Sequence, residues 1–458
     1  MPKGGTGSAN LQDQDEDRVT SVFQNEEQIC HESVTGLADH ARMSHLDLTD
    51  FRVDDFPPGR RSLRIAVVTE TYPPEVNGVA LTLARLVEGL RAANHEIQLI
   101  RLRQGGADAQ GPELHQSGLH EVLMRGLPIP RYPDLRMGVP SKGALIRLWQ
   151  LRRPDVVHIA TEGPLGWSAL RAASYLKLPV TTDYRTNFQS YSAHYGVGFL
   201  HKPIMAYLRK FHNRADCTMV PTEALRQSLT NAGFHKLKVV SRGVDTVAFD
   251  PSHRSAWLRA QWGMAPNDLA VLFVGRLAAE KNLDLLVKAF DSVHRRDPCA
   301  RLVLVGDGPM RQALQARCPN AIFAGQLRGV SLAQHYASAD LFLMPSVTET
   351  FGNVTTEAMA SGLPVLAFRH AAAAELMVDG VNGRLAPLGY DAEFLSAALE
   401  LASHPLHRTV MGAEARQTVL PLDWARIVRT FESVLHDVMD QSSVRIAREV
   451  HASALTQP

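Results

Sequence analysis

Two glutamates, Glu349 and Glu357, flank a stretch of small residues that leaves a predicted strand and enters a predicted helix. Gly352 lets the backbone approach a ligand. Asn353 is the expected N-cap, so the free N–H groups after it would face a phosphate with the helix dipole behind them. Glu357, on the first turn, and Glu349, in the loop, would accept hydrogen bonds from sugar or ribose hydroxyls. The alternative is that Glu357 complements the dipole and Glu349 is a solvated loop residue.

A second set of polar residues follows the strand predicted at 269–274. Gly275 and Arg276 end that strand, and Lys281 stands five residues after the arginine. Arginine offers a planar fork to phosphate oxygens and lysine a mobile point charge. Because α/β sheets bind ligands at the carboxyl ends of their strands, both could meet a diphosphate. The alternative is a solvated charged loop in which Glu280 pairs with one of them.

A glycine turn at 306–308 follows the strand predicted at 301–305 and could line a nucleotide pocket, although such a turn is more often only a turn. The GxGxxG fingerprint of dinucleotide-binding enzymes is absent, which argues against an NAD enzyme.

The elements that must position these side chains form two series of alternating strands and helices, separated by a break near 240–245. The predicted strands are 63–68, 97–100, 155–159, 179–182 and 217–220 in the first series, and 269–274, 301–305, 321–323, 341–344 and 365–367 in the second. Such repetition predicts parallel sheets wrapped by helices. We therefore expect an α/β fold of two doubly wound, Rossmann-like domains with a cleft between them.

The expected segments follow from this pattern and from the ends of the chain. Residues 1–61 hold twelve acidic and six basic residues with few regularly spaced apolar ones, which predicts a mobile extension. The domains are expected at 62–243 and 244–422. An amphipathic helix at 423–441 would cross back over both, and 442–458 would be a loose tail.

The composition excludes several classes of protein. With 458 residues, of which 45% are apolar and 21% charged, the chain can build one or two large cores. A net charge of +1 predicts neither a nucleic-acid binder nor an acidic tail protein. Four scattered cysteines, with no HExxH and no Cys/His cluster, predict neither a disulfide framework nor a metal site. No signal peptide or membrane-spanning apolar window is found, so a cytoplasmic protein is expected.

Taken together, these residues resemble glycosyltransferase family 4 over about residues 62–440. The motifs that carry the resemblance are Glu349 with Glu357, Gly275-Arg276 with Lys281, the turn at 305–309, and Arg242-Gly243-Val244-Asp245. The resemblance implies a retaining enzyme of the GT-B fold, similar to bacterial mannosyl- or glucosyltransferases. A hexose would move from a GDP- or UDP-linked sugar, bound by the second domain, to a lipid or glycan acceptor on the first.

The resemblance also implies roles for individual residues. Glu357 would hold the ribose hydroxyls of the nucleotide, and Glu349 a hydroxyl of the donor sugar. Arg276 and Lys281 would stabilise the departing diphosphate, on which negative charge develops. The donor-binding backbone would comprise Gly78, Gly275, Gly306, Phe351, Gly352, Asn353 and Val354. The implied mechanism is a front-face displacement without a metal, in which the departing phosphate takes the acceptor's proton.

The sequence departs from the family pattern at two places. Many relatives have a histidine near the transferred sugar where this chain has Arg185, which cannot act as a base at neutral pH. We predict Arg185 at the active site, where it could bind an anionic acceptor or the donor phosphate; the alternative is that it simply pairs with Asp183. Relatives also often carry two glycines before a glutamate, where this chain has His370 and four alanines before Glu375.

A basic stretch at 201–214 contains no acidic residue. Its basic and aromatic side chains could face anionic lipid headgroups at the inner face of the membrane, with the aromatic rings at the boundary. These side chains are Lys202, Tyr207, Arg209, Lys210, Phe211 and Arg214. The alternative is an ordinary surface helix with an apolar underside.

Two other functions fit the same fold. A sugar-nucleotide epimerase or a phosphorylase would need no lipid or polymer acceptor and no basic acceptor face. A catalytically silent binding protein would have little reason to keep Glu349, Glu357, Arg276 and Lys281 together. A glycosyltransferase is therefore the leading hypothesis.

Overall fold

The computed structural model describes residues 61–75, 77–104, 118–129, 132–185 and 201–455. The extension predicted at 1–61 lies outside these residues except for Arg61. The described chain forms the two doubly wound domains that the sequence predicts, followed by a long C-terminal helix.

The first domain is built on a seven-stranded sheet in which every pair of neighbours is parallel. Its strands are β1 (Arg64–Val68), β2 (Glu96–Leu102), β3 (Leu119–Met124), β6 (Val156–Ile159), β7 (Val180–Asp183), β8 (Cys217–Val220) and β9 (Leu237–Val239). They lie in the order β3-β2-β1-β6-β7-β8-β9. A separate antiparallel pair joins β4 (Gly126–Ile129) and β5 (Tyr132–Gly138).

Helices cover both faces of this sheet. They are α1 (Gly78–Ala92), α2 (Lys142–Leu151), α3 (Pro164–Tyr175), α4 (His201–His212) and α5 (Glu223–Asn231). Leucines of α1 pack on one face, whereas α2, α3 and α4 pack on the other, where Phe211 joins the core. The prediction that Phe211 lies at a membrane boundary is therefore wrong, because its ring is fully buried, while Tyr207 on the same helix is exposed.

The second domain has a six-stranded parallel sheet. Its strands are β10 (Ala270–Val274), β11 (Arg301–Val305), β12 (Ile322–Gly325), β13 (Leu341–Met344), β14 (Val365–Phe368) and β15 (Arg384–Ala386), in the order β12-β11-β10-β13-β14-β15. Its helices are α6 (Ala256–Gln261), α7 (Leu283–Arg296), α8 (Arg311–Arg317), α9 (Gly329–Ser338), α10 (Asn353–Ala360), α11 (Ala371–Leu376), α12 (Asp391–Ser403) and α13 (Pro405–Val419).

The last helix, α14 (Trp424–Leu455), crosses back to the first domain. It packs so closely on α1 that a Cβ added at Gly89 would lie 2.4 Å from Val428 Cγ2. The helix continues to Leu455, so the prediction that it ends at 441 and that a loose tail follows is wrong. No glycine or proline interrupts 424–455, and Ser442, where the tail was expected to begin, is buried.

Candidate functional site

The loops that leave β10 and β11 pack backbone against backbone. Gly306 has φ +131°, and a Cβ there would lie 2.0 Å from the carbonyl oxygen of Gly275. Gly275 N donates to Val305 O (2.9 Å), and Leu277 N donates to Asp307 O (2.9 Å). Only glycine fits at 306, because any side chain would push apart the two turns that follow these neighbouring strands.

The loop after β13 is fastened to the loop after β10. Thr348 Oγ1 donates to Glu280 O (3.1 Å), and Asn282 Nδ2 donates to Pro345 O (3.3 Å). This fastening brings Lys281 to Glu349, and their side chains form an ion pair. Two residues that the sequence places 68 positions apart thus meet, as expected for the carboxyl ends of adjacent strands.

The two predicted cations differ in environment. Arg276 is exposed, and its Nη1 lies 3.9 Å from Oε1 of the buried Glu280. The alternative prediction, in which Glu280 pairs with one of the two cations, is therefore confirmed for Arg276. Lys281 is largely buried against Glu349. Burial raises the pKa of Glu349, but the Lys281 ammonium outweighs it and holds that pKa below its usual range. Glu349 is therefore ionised at neutral pH.

Helix α10 begins one residue earlier than the capping prediction. Gly352, with φ +88°, is the N-cap, and Asn353 is already the first helical residue. The prediction of Asn353 as N-cap is wrong because the left-handed turn at Gly352 starts the helix without a capping side chain. Glu357 consequently lies on the second turn rather than the first.

Glu357 points toward α9. Its Oε2 accepts a hydrogen bond of 2.9 Å from the hydroxyl of Tyr336. Burial raises the pKa of Glu357 to about 7, and the hydrogen bond from Tyr336 offsets part of that rise. The two glutamates of the predicted site thus have opposite electrostatics, one held charged and one titrating near neutrality.

The amino ends of two helices, one from each domain, meet at Asn353. Its Nδ2 lies 3.5 Å from Thr82 Oγ1 on α1, and a Cβ added at Gly78 would lie 3.7 Å from the same nitrogen. Asn77 caps α1 by accepting a hydrogen bond from Ala80 N (2.9 Å). Two positive helix ends converging at one place favour an anion there.

The remaining predicted residues near α10 contribute backbone rather than side chains. Phe351 is buried, and its carbonyl accepts from Ala372 N (2.9 Å). Val354 is half-buried and packs against the core. In the segment where relatives often have glycines, Ala371 has φ +51°, a left-handed conformation that costs an alanine energy.

Arg185 lies in a cluster of the first domain rather than beside Lys281. It is buried and paired with Asp183, the last residue of β7. His158 Nε2 lies 3.3 Å from the same carboxylate oxygen. Burial raises the pKa of Asp183, but Arg185 and His158 more than offset this and hold it well below its usual range. Burial and repulsion from Arg185 lower the pKa of the neighbouring Arg242 to about 9.

Sequence reasoning missed three residues that shape the site. Tyr336 holds Glu357, Thr82 contacts Asn353, and His370 Nε2 lies 2.8 Å from the carbonyl oxygen of Glu349. The histidine had a signal, since it directly precedes the segment that departs from the glycine pattern. The other two lie on helices without any local motif.

No group of three or more histidine, cysteine or acidic side chains among the described residues is arranged to hold a metal ion. Within the same part of the chain, no helix has both the length and the apolarity needed to span a bilayer.

Two family models match the chain. One, described as Glycosyltransferase Family 4, matches residues 76–247, and the other, described as Glycosyl transferases group 1, matches residues 268–404. A protein of Mycobacterium tuberculosis named GDP-mannose-dependent alpha-mannosyltransferase is 35% identical over 79% of this chain and 93% of its own. A sulfoquinovosyl transferase of Arabidopsis thaliana is 31% identical over 79% of this chain and 71% of its own.

Solved structures agree on the architecture. The crystal structure of Anabaena HepE in complex with UDP superposes with a TM-score of 0.66 at 20% sequence identity, over 82% of this chain and 100% of that chain. A sucrose-phosphate synthase of Thermosynechococcus elongatus gives the same TM-score, 0.66, at 19% identity. These similarities confirm the predicted GT-B arrangement of two Rossmann-like domains.

Proposed function

The chain belongs to glycosyltransferase family 4, and on that premise we propose that it transfers a hexose of the mannose or glucose type, with retention of configuration, from a nucleotide diphosphate sugar to a lipid or glycan acceptor. The observation that carries the proposal is the Lys281–Glu349 ion pair beside the amino end of α10. The relative at 35% identity is named for its dependence on GDP-mannose, which favours that donor. An epimerase or phosphorylase is not favoured, because these relatives and both family models are transferases.

In this proposal, the donor's diphosphate takes the place between the two domains where α1 and α10 begin. Lys281 and Arg276 neutralise the charge that develops on it as the sugar leaves. Glu349, released from part of its contact with Lys281, accepts a hydrogen bond from a sugar hydroxyl. The backbone N–H groups at 351–354 and at Gly78 complete the anion site, and no metal is required.

The nucleoside lies deeper in the second domain. Glu357 accepts hydrogen bonds from the ribose hydroxyls. The glycine turns at Gly275 and Gly306 allow the nucleotide to approach the carboxyl edge of the sheet, because no side chains project there.

The transfer step is a front-face displacement. As the bond between the anomeric carbon and the phosphate oxygen breaks, the acceptor hydroxyl attacks from the same face and gives its proton to the departing phosphate oxygen. Retention then needs no covalent glycosyl-enzyme, unlike the paired carboxylates of retaining glycosidases. Arg185, held by Asp183, would add positive charge on the acceptor side.

The test begins with nucleotide binding and ends with product stereochemistry. We expect GDP-mannose and GDP to raise the Tm in the presence of EDTA, and UDP-linked sugars to raise it less. With an acceptor, NMR should show the same anomeric configuration in product and donor. An inverted product would reject the mechanism, and a Tm unchanged by every nucleotide would reject the donor class.

Membrane contact by the first domain is a further part of this proposal. The helices α2, α3 and α4 lie on one face of the first sheet and contain no acidic residue. Their exposed cations are Lys142, Arg147, Arg171, Lys202, Arg209 and Lys210. The exposed rings of Tyr175 and Tyr207 lie among them, with Lys142 Nζ 5.4 Å from the centre of Tyr175. A basic, aromatic, acid-free face suits the anionic inner surface of a membrane.

Vesicle sedimentation tests this contact. We expect binding to vesicles containing phosphatidylglycerol and none to pure phosphatidylcholine, with binding weakened by salt. Lys202→Glu with Lys210→Glu should abolish it. The matched control is Lys288→Glu with Arg296→Glu, which makes the same charge change on exposed positions of α7. Equal loss in both pairs would reject a specific face.

A further inference from the structure

Tyr336 is the only side chain in the described part of the chain that donates a hydrogen bond to the carboxylate of Glu357, at 2.9 Å to Oε2. The two residues lie on different helices, α9 and α10. Tyr336 is fully buried, so its hydroxyl is shielded from bulk water. The hydrogen bond therefore belongs to the buried interior of the second domain.

The ring of Tyr336 is fixed by aromatic neighbours. Phe249 meets it edge-on, with ring centres 5.5 Å apart at 90°, and Phe342 packs against it at 5.8 Å. Such contacts restrict the ring and aim the hydroxyl in one direction. A buried tyrosine needs a partner for its hydroxyl, and here that partner is the glutamate assigned to the ribose.

We propose that Tyr336 is a positioning residue for the donor nucleotide, which holds one oxygen of Glu357 so that the other oxygen is presented to the ribose hydroxyls. This inference rests on the proposed function, because it assumes that Glu357 contacts the ribose. A ribose hydroxyl donates best to a charged carboxylate. The Tyr336 hydroxyl favours the charged form, because its hydrogen bond to a carboxylate is stronger than one to the neutral acid.

Tyr336→Phe tests this assignment because it keeps the ring and removes only the hydroxyl. Titration calorimetry with GDP, and separately with UDP, should show affinity reduced roughly tenfold at pH 7.5. The pH at which half of the affinity is lost should also move upward by about one unit. The donor KM should rise while kcat changes little, because the contact is remote from the breaking bond.

Tyr184→Phe is the matched control. Tyr184 is fully buried in the first domain, and its hydroxyl has no hydrogen-bond partner among the described residues. We expect unchanged nucleotide affinity and an unchanged pH profile. A Tyr336→Phe protein with a lower Tm but wild-type affinity and pH profile would show a structural role alone and overturn the inference.

Glu357→Gln separates this inference from the function on which it rests. If no nucleoside diphosphate binds the wild-type protein, the proposed function fails. If the wild-type protein binds and Glu357→Gln weakens binding and flattens its pH dependence, while Tyr336→Phe changes neither, the function stands and the positioning role fails. Parallel losses in both variants support both.

Discussion

The charged residues at the carboxyl edges of the two sheets are arranged differently. In the second domain, the side chains of Lys281 and Glu349 remain 15% and 17% exposed. In the first domain, the side chains of Arg185 and Asp183 are 1% and 8% exposed. The first of these pairs is therefore partly accessible from solvent. Opening the second would leave charges stranded away from water, which costs far more than a surface pair is worth. The second domain thus keeps its ion pair accessible, whereas the first domain buries its pair at the end of a strand.

Lys281→Ala should produce the largest functional effect. Without the ammonium, the departing diphosphate loses a charged partner, and transfer should fall roughly 10³-fold or more. The Tm should change little, because Glu349 can regain water. Initial rates under saturating donor give the measurement. Lys288→Ala, an exposed lysine on α7, is the control that should keep full activity. Near wild-type turnover in Lys281→Ala would remove the contrast between an exchangeable and a fixed pair.

Asp183→Asn should produce the largest loss of stability. It leaves Arg185 and Arg242 buried without their shared anion, and the free energy of unfolding should fall by about 3–5 kcal/mol. Denaturant titration measures this loss. Glu223→Gln, in the exposed pair with Arg226, is the control and should leave the denaturant midpoint almost unchanged.

Arg185→Ala sharpens the same contrast. It should destabilise the protein as Asp183→Asn does, because the buried Asp183 then loses its ion-pair partner. If Arg185 also acts in transfer, kcat for the folded protein should fall further than it does in Asp183→Asn. Equal values of kcat would assign Arg185 to the scaffold alone.

A smaller effect is expected from Glu357→Gln on stability without ligand. The folded-state pKa of Glu357, about 7, lies above its unfolded value, so the folded protein holds this proton more tightly. Its stabilising contribution is complete below about pH 4.5 and declines as the pH rises to about 7. Wild-type protein should therefore lose roughly 1–3 kcal/mol more than Glu357→Gln between pH 4.5 and 7.5.

Glu349 should behave in the opposite way. The pKa of Glu349 is lower in the folded protein than in the unfolded chain. Its contribution to stability is therefore complete above the unfolded-state pKa and is lost as the pH falls through the folded-state pKa. Denaturant titrations of Glu349→Gln and Glu357→Gln from pH 3.5 to 7.5 compare the two. If the two variants changed the pH dependence of the unfolding free energy in the same direction, the assignment of one charged and one titrating carboxyl would be contradicted.

The smallest effect is expected at Ala371. Its φ of +51° disfavours any residue with a Cβ. Ala371→Gly should therefore stabilise the protein by about 0.5–1 kcal/mol, despite the greater freedom of glycine in the unfolded chain. Ala372→Gly is the control, because Ala372 lies in the same helix but has no positive φ. This substitution should destabilise the protein by about 0.5–1 kcal/mol. Thermal unfolding measures both, and equal changes would mean that Ala371 bears no strain.

The sequence predicted the second region better than the first. Gly275, Lys281 and Glu349 each follow a strongly apolar strand. Once these strands were predicted, the three residues were expected together at the carboxyl edge of the sheet. Strands β3, β4, β5, β9 and β15 were missed. Two of them, β9 and β15, have three residues each, and β3 is half-buried without a clear alternation, so their hydropathy signals are weak. Strands β4 and β5 each contain a proline and a glycine, which disfavour a strand prediction.

Contacts between distant elements could not be read from local patterns. Tyr336 and Glu357 lie 21 residues apart on different helices, and no spacing rule joins them. Arg242 was noticed only as part of a motif, but its charge acts on Asp183, which lies on another element. The pairing of Arg185 with Asp183 was foreseeable from their proximity, yet their burial depends on how the whole domain packs.

The course of α14 has a consequence for how the protein is made. The core of the first domain includes Ile427, Phe431, Leu435 and Val438, which are translated only after the whole of the second domain. Until then, the part of the core of the first domain that α14 covers, including the surface of α1 at Gly89, is exposed, although the rest of the domain has long been synthesised. We therefore expect a nascent chain that stops before residue 424 to expose this apolar surface to chaperones. Completion of the first domain must wait for the second to be translated.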